Sequence, residues 1–185
     1  MEKLLEKITA YADKAHGDQR RKYRDERYIN HPIRVMGTVK TITPALPLLA
    51  ASLLHDVVED TEVSSEALLD FLLTVMDIPT AIQTQLLVTE LTDVYTKASY
   101  PRLNRRQRKA KEHERLSHAS AAAQTIKYAD LIDNGTDVVG MDPDFAKVYL
   151  LEAKDLLQKM DMGNPVLRKQ AEKVVIDGLA GLTRN

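Results

Sequence analysis

Residues 48–61, LLAASLLHDVVEDT, place four ionisable side chains inside an otherwise apolar helical run, and that conflict limits what the chain can become. Leu48, Leu49, Ala50, Ala51, Leu53, Leu54, Val57 and Val58 suit a core-forming helix. His55, Asp56, Glu59 and Asp60 do not. A continuous helix over 45–60 sets His55 one turn from Glu59, and Asp56 one turn from Asp60, so all four crowd one side of its last turns. Burying bare charges is costly, so such groups are solvated, paired or bound to metal. An imidazole beside carboxylates on an apolar helix suits metal and acid/base chemistry, whereas a solvated helix end is the bland reading of the same four residues.

The remaining sequence is patterned as helices. Leu4, Ile8, Tyr11 and Ala15 recur at helical spacing over 2–16, and Gly17 ends that segment. Residues 17–30, GDQRRKYRDERYIN, form a polar, Arg-dense loop, either a solvated connector or an anion-binding lip. Pro32 opens the next helix with His31 at its N-cap end, and that helix carries Val35, Met36, Val39 and Ile42 to a stop near Pro44. Ser64 caps a helix with Leu68 and Leu72 inward. Pro79 starts another, with Ile82 and Leu86 on its core stripe. The basic stretch 102–115 is a solvated helix start or a phosphate-facing wall, with His113 and His118 as surface histidines.

From Leu116 the pattern turns apolar again. Ala119, Ala123 and Ile126 step along one face, and the next steps are Asp130 and Asn134, with Gly135 as a C-terminal stop. A carboxylate delivered to a buried face needs a partner. Asp142-Pro143 starts a helix with Phe145, Tyr149, Ala153, Leu156 and Met160 inward. After Pro165 a last one carries Leu167, Ala171, Val174, Gly178 and Leu182. Strand-like alternation is missing, so the expected fold is an all-α helical bundle, read as a single domain over 1–185.

Composition narrows the chemistry. There is no cysteine, which removes thiolate catalysis and sulfur-ligated metals, so any metal is held by His, Asp or Glu. The net charge of -1 and an aromatic content of 5% argue against nucleic acid as a partner. No apolar run reaches membrane-spanning length, and MEKLLEKIT is a charged amphipathic start rather than a signal peptide, so a cytoplasmic protein without membrane contact is expected.

His31, His55, Asp56 and Asp130 come from three helices and together offer two imidazoles and two carboxylates, a set fitting Mn, Fe, Co or Zn. Four stretches, AHGDQRRK (15–22), YINHP (28–32), LLHDVVEDT (53–61) and KYADLIDN (127–134), occur in an order and spacing that resemble the HD-domain phosphohydrolases. The likeness is narrower still to the hydrolase domain of RelA/SpoT proteins and to the small alarmone hydrolases, and it covers roughly residues 1–165.

The resemblance implies an HD-domain fold and a divalent metal, most often manganese, on His31, His55, Asp56 and Asp130. It implies that Glu59 and Asp60 orient or activate the attacking water, that Arg21 contacts the nucleotide and that Asn134 lines its site. Lys22, beside Arg21, is expected to help neutralise a pyrophosphate. The implied reaction is removal of the 3′-pyrophosphate of ppGpp or pppGpp, leaving GDP or GTP, with a small-molecule nucleotide as partner and the oligomeric state left open.

Two departures stand out. The link 23–27, YRDER, is one residue longer than the family's usual one. Gly135, Thr136 and Asp137 replace a hydrophobe, Arg and Thr. The residues after Asn134 leave open action on another nucleotide, such as a deoxynucleoside monophosphate or the phosphate of NADPH. A module that binds a nucleotide without cleaving it is the other alternative, against which the retained Glu59 and Asp60 argue.

Overall fold

The all-α reading holds among the described residues, while several helix bounds and faces differ from those expected. The computed structural model describes residues 1–22, 24–140 and 142–182. Among these there is no strand, only an isolated antiparallel bridge between Arg20 and Arg27. No described helix is long and apolar enough to cross a membrane. The chain divides into two compact units, Met1–Thr92 and a second from Asp93 onward.

The first unit holds α1 (Glu2–His16), α2 (Asn30–Lys40), α3 (Leu46–Leu54), α4 (Val57–Asp60), α5 (Ser65–Val75) and α6 (Ile78–Leu91). α3 is its centre. Leu49 through Leu54 are all buried, and α1, α2 and α6 pack around them. Ser52 is accommodated there because its hydroxyl donates to the Leu48 carbonyl at 2.7 Å. Each leucine so buried contributes about 1.5–3 kcal/mol. Gly17 closes α1 at φ 54, a backbone region that β-carbon-bearing residues avoid. Ser64 and Asp77 cap α5 and α6 by accepting from the amides of Ala67 and Thr80.

The structure corrects three details here. The expected helix over 45–60 is interrupted: α3 ends at Leu54, His55 and Asp56 form a turn, and α4 is a single turn. His55 Nδ1 lies 2.9 Å from the Ser52 carbonyl, so a side chain satisfies one of the last acceptors of α3. α2 begins at Asn30, which puts His31 inside the helix rather than at its cap. On α6 the buried face is Ala81, Thr84, Leu87, Val88 and Leu91, while Ile82 and Leu86 face outward. Apolar residues surround α6, so its sequence alone does not single out a stripe.

The second unit holds α7 (Arg105–Ser117), α8 (Ala121–Val138), α9 (Pro143–Lys159) and α10 (Pro165–Leu182). Asn104 and Gln107 form a reciprocal cap on α7. α8 packs on α9 and α10. Gly135 does not stop α8, which runs on to Val138. A β-carbon there would meet Val174 Cγ1 at 2.8 Å, so the glycine serves a close approach of α8 to α10. On α9 the buried stripe is shifted by one residue, with Ala146 and Leu150 inward and Phe145 and Tyr149 only partly covered. α10 buries Val175, not Val174.

Candidate functional site

His31 sits in the first turn of α2 and is 1% exposed. His55, at the end of α3, is 3% exposed. Their rings are 5.2 Å apart. Asp56 Oδ2 lies 3.2 Å from His55 Nε2 and 3.5 Å from His31 Nε2. One ligand atom from each of the three residues falls within a 4.8 Å group.

The donor set fits a divalent cation. The Ser52 carbonyl can only accept, so the proton of neutral His55 lies on Nδ1 and its Nε2 lone pair faces the Asp56 carboxylate. A lone pair aimed at an anion is favourable with a cation between them. The mixed nitrogen and oxygen donors suit a borderline divalent ion.

An acidic cluster adjoins these three residues. The Tyr28 hydroxyl is 2.7 Å from Asp56 Oδ2 and 2.9 Å from Asp60 Oδ2. Burial, followed by the charges of Asp56 and Asp60, holds this phenol far above its ordinary range, so it serves as a donor. Burial also pushes the Asp60 carboxyl up, and the neighbouring Asp56 adds to the effect. Glu59 is exposed on α4. Arg21 places its guanidinium 5.7 Å from the centre of the Tyr28 ring, and Lys22 beside it is exposed.

Sequence reasoning assigned no role to Tyr28 or to His16. The His16 ring stacks on Tyr28 with centroids 4.4 Å apart. Its Nδ1 is 2.9 Å from Gln19 Oε1, and its buried Nε2 has no hydrogen-bond partner. A signal for His16 was present: it continues the buried stripe Leu5, Ile8, Ala12 of α1 at helical spacing. Tyr28 carried a weaker one, its place three residues before His31.

Asp130 and Asn134 lie in the second unit, on the face of α8 that the sequence assigned to them. Asp130 is 4% exposed. Its Oδ1 accepts from Asn134 Nδ2 at 2.5 Å, and Lys127 Nζ is 2.8 Å from Oδ2. They line a cleft of about 130 Å³ with Arg105, Lys109, His113 and Lys127. The basic stretch is thus one wall of a cleft rather than only a solvated helix start. His113 is also not a surface histidine. It is 5% exposed, 3.4 Å from Asp155, and burial pulls its imidazole below the ordinary range. His118 is exposed, as expected.

Known proteins resemble this chain along most of its length. A guanosine-3′,5′-bis(diphosphate) 3′-pyrophosphohydrolase, MESH1, of Homo sapiens is 33% identical over 138 residues, covering 72% of this chain and 69% of that protein. MESH1 of Drosophila melanogaster is 30% identical over 175 residues, covering 89% and 88%. Among solved structures, a metazoan ortholog of SpoT, described as hydrolysing ppGpp and acting in starvation responses, matches with a TM-score of 0.77 at 29% identity over 95% of this chain and 96% of that one. A Listeria monocytogenes protein, lmo0812, shares the fold at a TM-score of 0.59 and 23% identity, covering 84% and 97%. No protein-family model matches the chain.

Proposed function

Because the chain belongs to the MESH1 family of HD-type guanosine-3′,5′-bis(diphosphate) 3′-pyrophosphohydrolases, we propose that it removes the 3′-pyrophosphate of ppGpp and pppGpp, releasing GDP or GTP, with manganese as its metal. The observation that carries this reading is the convergence of His31, His55 and Asp56 beside Asp60.

His31 and His55 would hold the metal through Nε2 and Asp56 through a carboxylate oxygen. Asp130 is the fourth ligand in this reading, on the strength of the KYADLIDN stretch and its buried carboxylate. The single HD-type domain over 1–185 belongs to the same proposal. A divalent ion in such a site makes water a better nucleophile and polarises a phosphoryl oxygen.

The protein's own groups do the rest. Glu59 and Asp60 orient the attacking water, and one of them takes its proton. Arg21 and Lys22 neutralise the pyrophosphate as charge builds on it. Asn134 lines the nucleotide side. The bond between the ribose 3′-oxygen and phosphorus breaks, the water oxygen stays with the departing pyrophosphate, and the proton taken from the water passes to the ribose oxygen, which leaves as a hydroxyl.

The test is incubation with ppGpp and Mn²⁺, with a chelated control, followed by anion-exchange chromatography. GDP and pyrophosphate in equal amounts, absent after chelation, are expected. Intact ppGpp with metal-loaded protein would overturn the reading.

A further inference from the structure

The Asp56 oxygen that Tyr28 reaches is the same Oδ2 that faces both imidazoles. Asp60, at the other end of the contact, closes the single-turn helix α4 and is followed by extended backbone at Thr61. We propose that Tyr28 is a positioning residue for this reaction: its hydroxyl ties the carboxylate that would hold the metal to the carboxylate that would orient water. This rests on the metal-site reading above.

The Tyr28 ring is held from outside the acidic cluster, by stacking on the buried His16 and by its own amide, which donates to the Gln19 carbonyl at 2.9 Å. His16 is in turn fixed through Nδ1 to Gln19. The end of α1 and the turn after it therefore set where the hydroxyl lies, independently of either aspartate. A phenol has one proton, and two carboxylates lie within hydrogen-bond distance of it. Each carboxylate then occupies the rotamer that the hydroxyl can reach, and a change in the demand on Asp56 is felt at Asp60 through that shared proton. An exposed carboxylate on a lone turn loses rotamer freedom before substrate arrives, which is how outer hydrogen bonds raise the precision of a metal site.

Tyr28→Phe deletes the hydroxyl and keeps the ring on His16. Mn²⁺ binding is measured by titration calorimetry, the fold by thermal melting without metal, and turnover on ppGpp by initial rates. The expected result is a melt close to the parent's, a Kd for Mn²⁺ raised about tenfold or more, and a fall in kcat with KM unchanged. A Kd within threefold of the parent's overturns the proposal. Parent protein that binds no Mn²⁺ sinks the metal-site reading itself, and this proposal with it.

A second arm does not depend on how the Phe variant folds. Asp60→Asn and Asp60→Ala both remove the charge, but only Asn keeps an acceptor for the hydroxyl. Under the proposal their Mn²⁺ affinities differ by at least threefold. Equal affinities would show that only charge couples the two positions, and would overturn it.

Discussion

His55 turns its Nδ1 onto the Ser52 carbonyl at 2.9 Å, and this one hydrogen bond both ends α3 and aims Nε2 at Asp56. Replacing His55 with Phe keeps the volume and removes both roles. The metal-free variant is expected to lose about 1 kcal/mol of stability, the worth of an ordinary hydrogen bond. The larger effect is on metal dependence. A ligand that binds only the folded state stabilises it, so the parent's Tm is expected to rise with added Mn²⁺. The variant's Tm stays flat. A Tm that still climbs with Mn²⁺ would remove His55 from the ligand set.

In the proposed site Asp56 would hold the metal and Glu59 would act on the attacking water. Asp56→Ala is expected to bind no Mn²⁺ and to release no pyrophosphate. Glu59→Ala is expected to keep Mn²⁺ and lose turnover by about 10²–10⁴-fold, the usual contribution of a positioned acid/base. Metal content of the purified variants and initial rates on ppGpp check both. A Glu59→Ala protein without metal would contradict this division.

Gly135 meets Val174 where α8 passes α10, with 2.8 Å between a built β-carbon and Cγ1. Gly135→Ala gains about 1 kcal/mol of helix propensity and costs about 1–3 kcal/mol of overpacking, so a net loss is expected in urea unfolding. Adding Val174→Ala makes room, and the double variant recovers part of that loss. Additive losses would mean that the contact is not what excludes a side chain here.

His113 predicts a pH dependence of stability. Burial holds its folded pKa below the ordinary 6.5 that applies to the unfolded chain. As pH falls through 6.5 the unfolded chain takes the proton first, so stability is full above 6.5 and declines until the folded pKa is passed. Urea midpoints of the parent are expected to drop over that window more steeply than those of His113→Phe. Parallel curves would show that His113 has no such shift.

The helices and the grouped residues His31, His55 and Asp56 could be read from residue order. Asp130 and Asn134 were legible because Ala123 and Ile126 fix the buried face of α8 one and two turns earlier. His31 was legible as a candidate, but its burial was not, since a histidine near a helix start carries no mark of what packs on it. The interruption after Leu54 was hidden because the apolar pattern runs straight through it; only a side chain reaching back to Ser52 reveals the turn. Gly135 read as a stop because glycine signals both a helix end and a tight crossing, and α10, 39 residues further on at Val174, decides which. Tyr28 was silent for the same kind of reason: its partners lie 28 and 32 residues away.

The helix that delivers His55 has no solvent side over Leu49–Leu54. A helix enclosed in this way does not fray on its own, because opening it exposes the apolar centre of the first unit. Hydrogen exchange at its amides therefore requires the cooperative loss of that whole unit. The imidazole at its end inherits that rigidity, so the candidate metal site keeps its shape until the unit itself gives way.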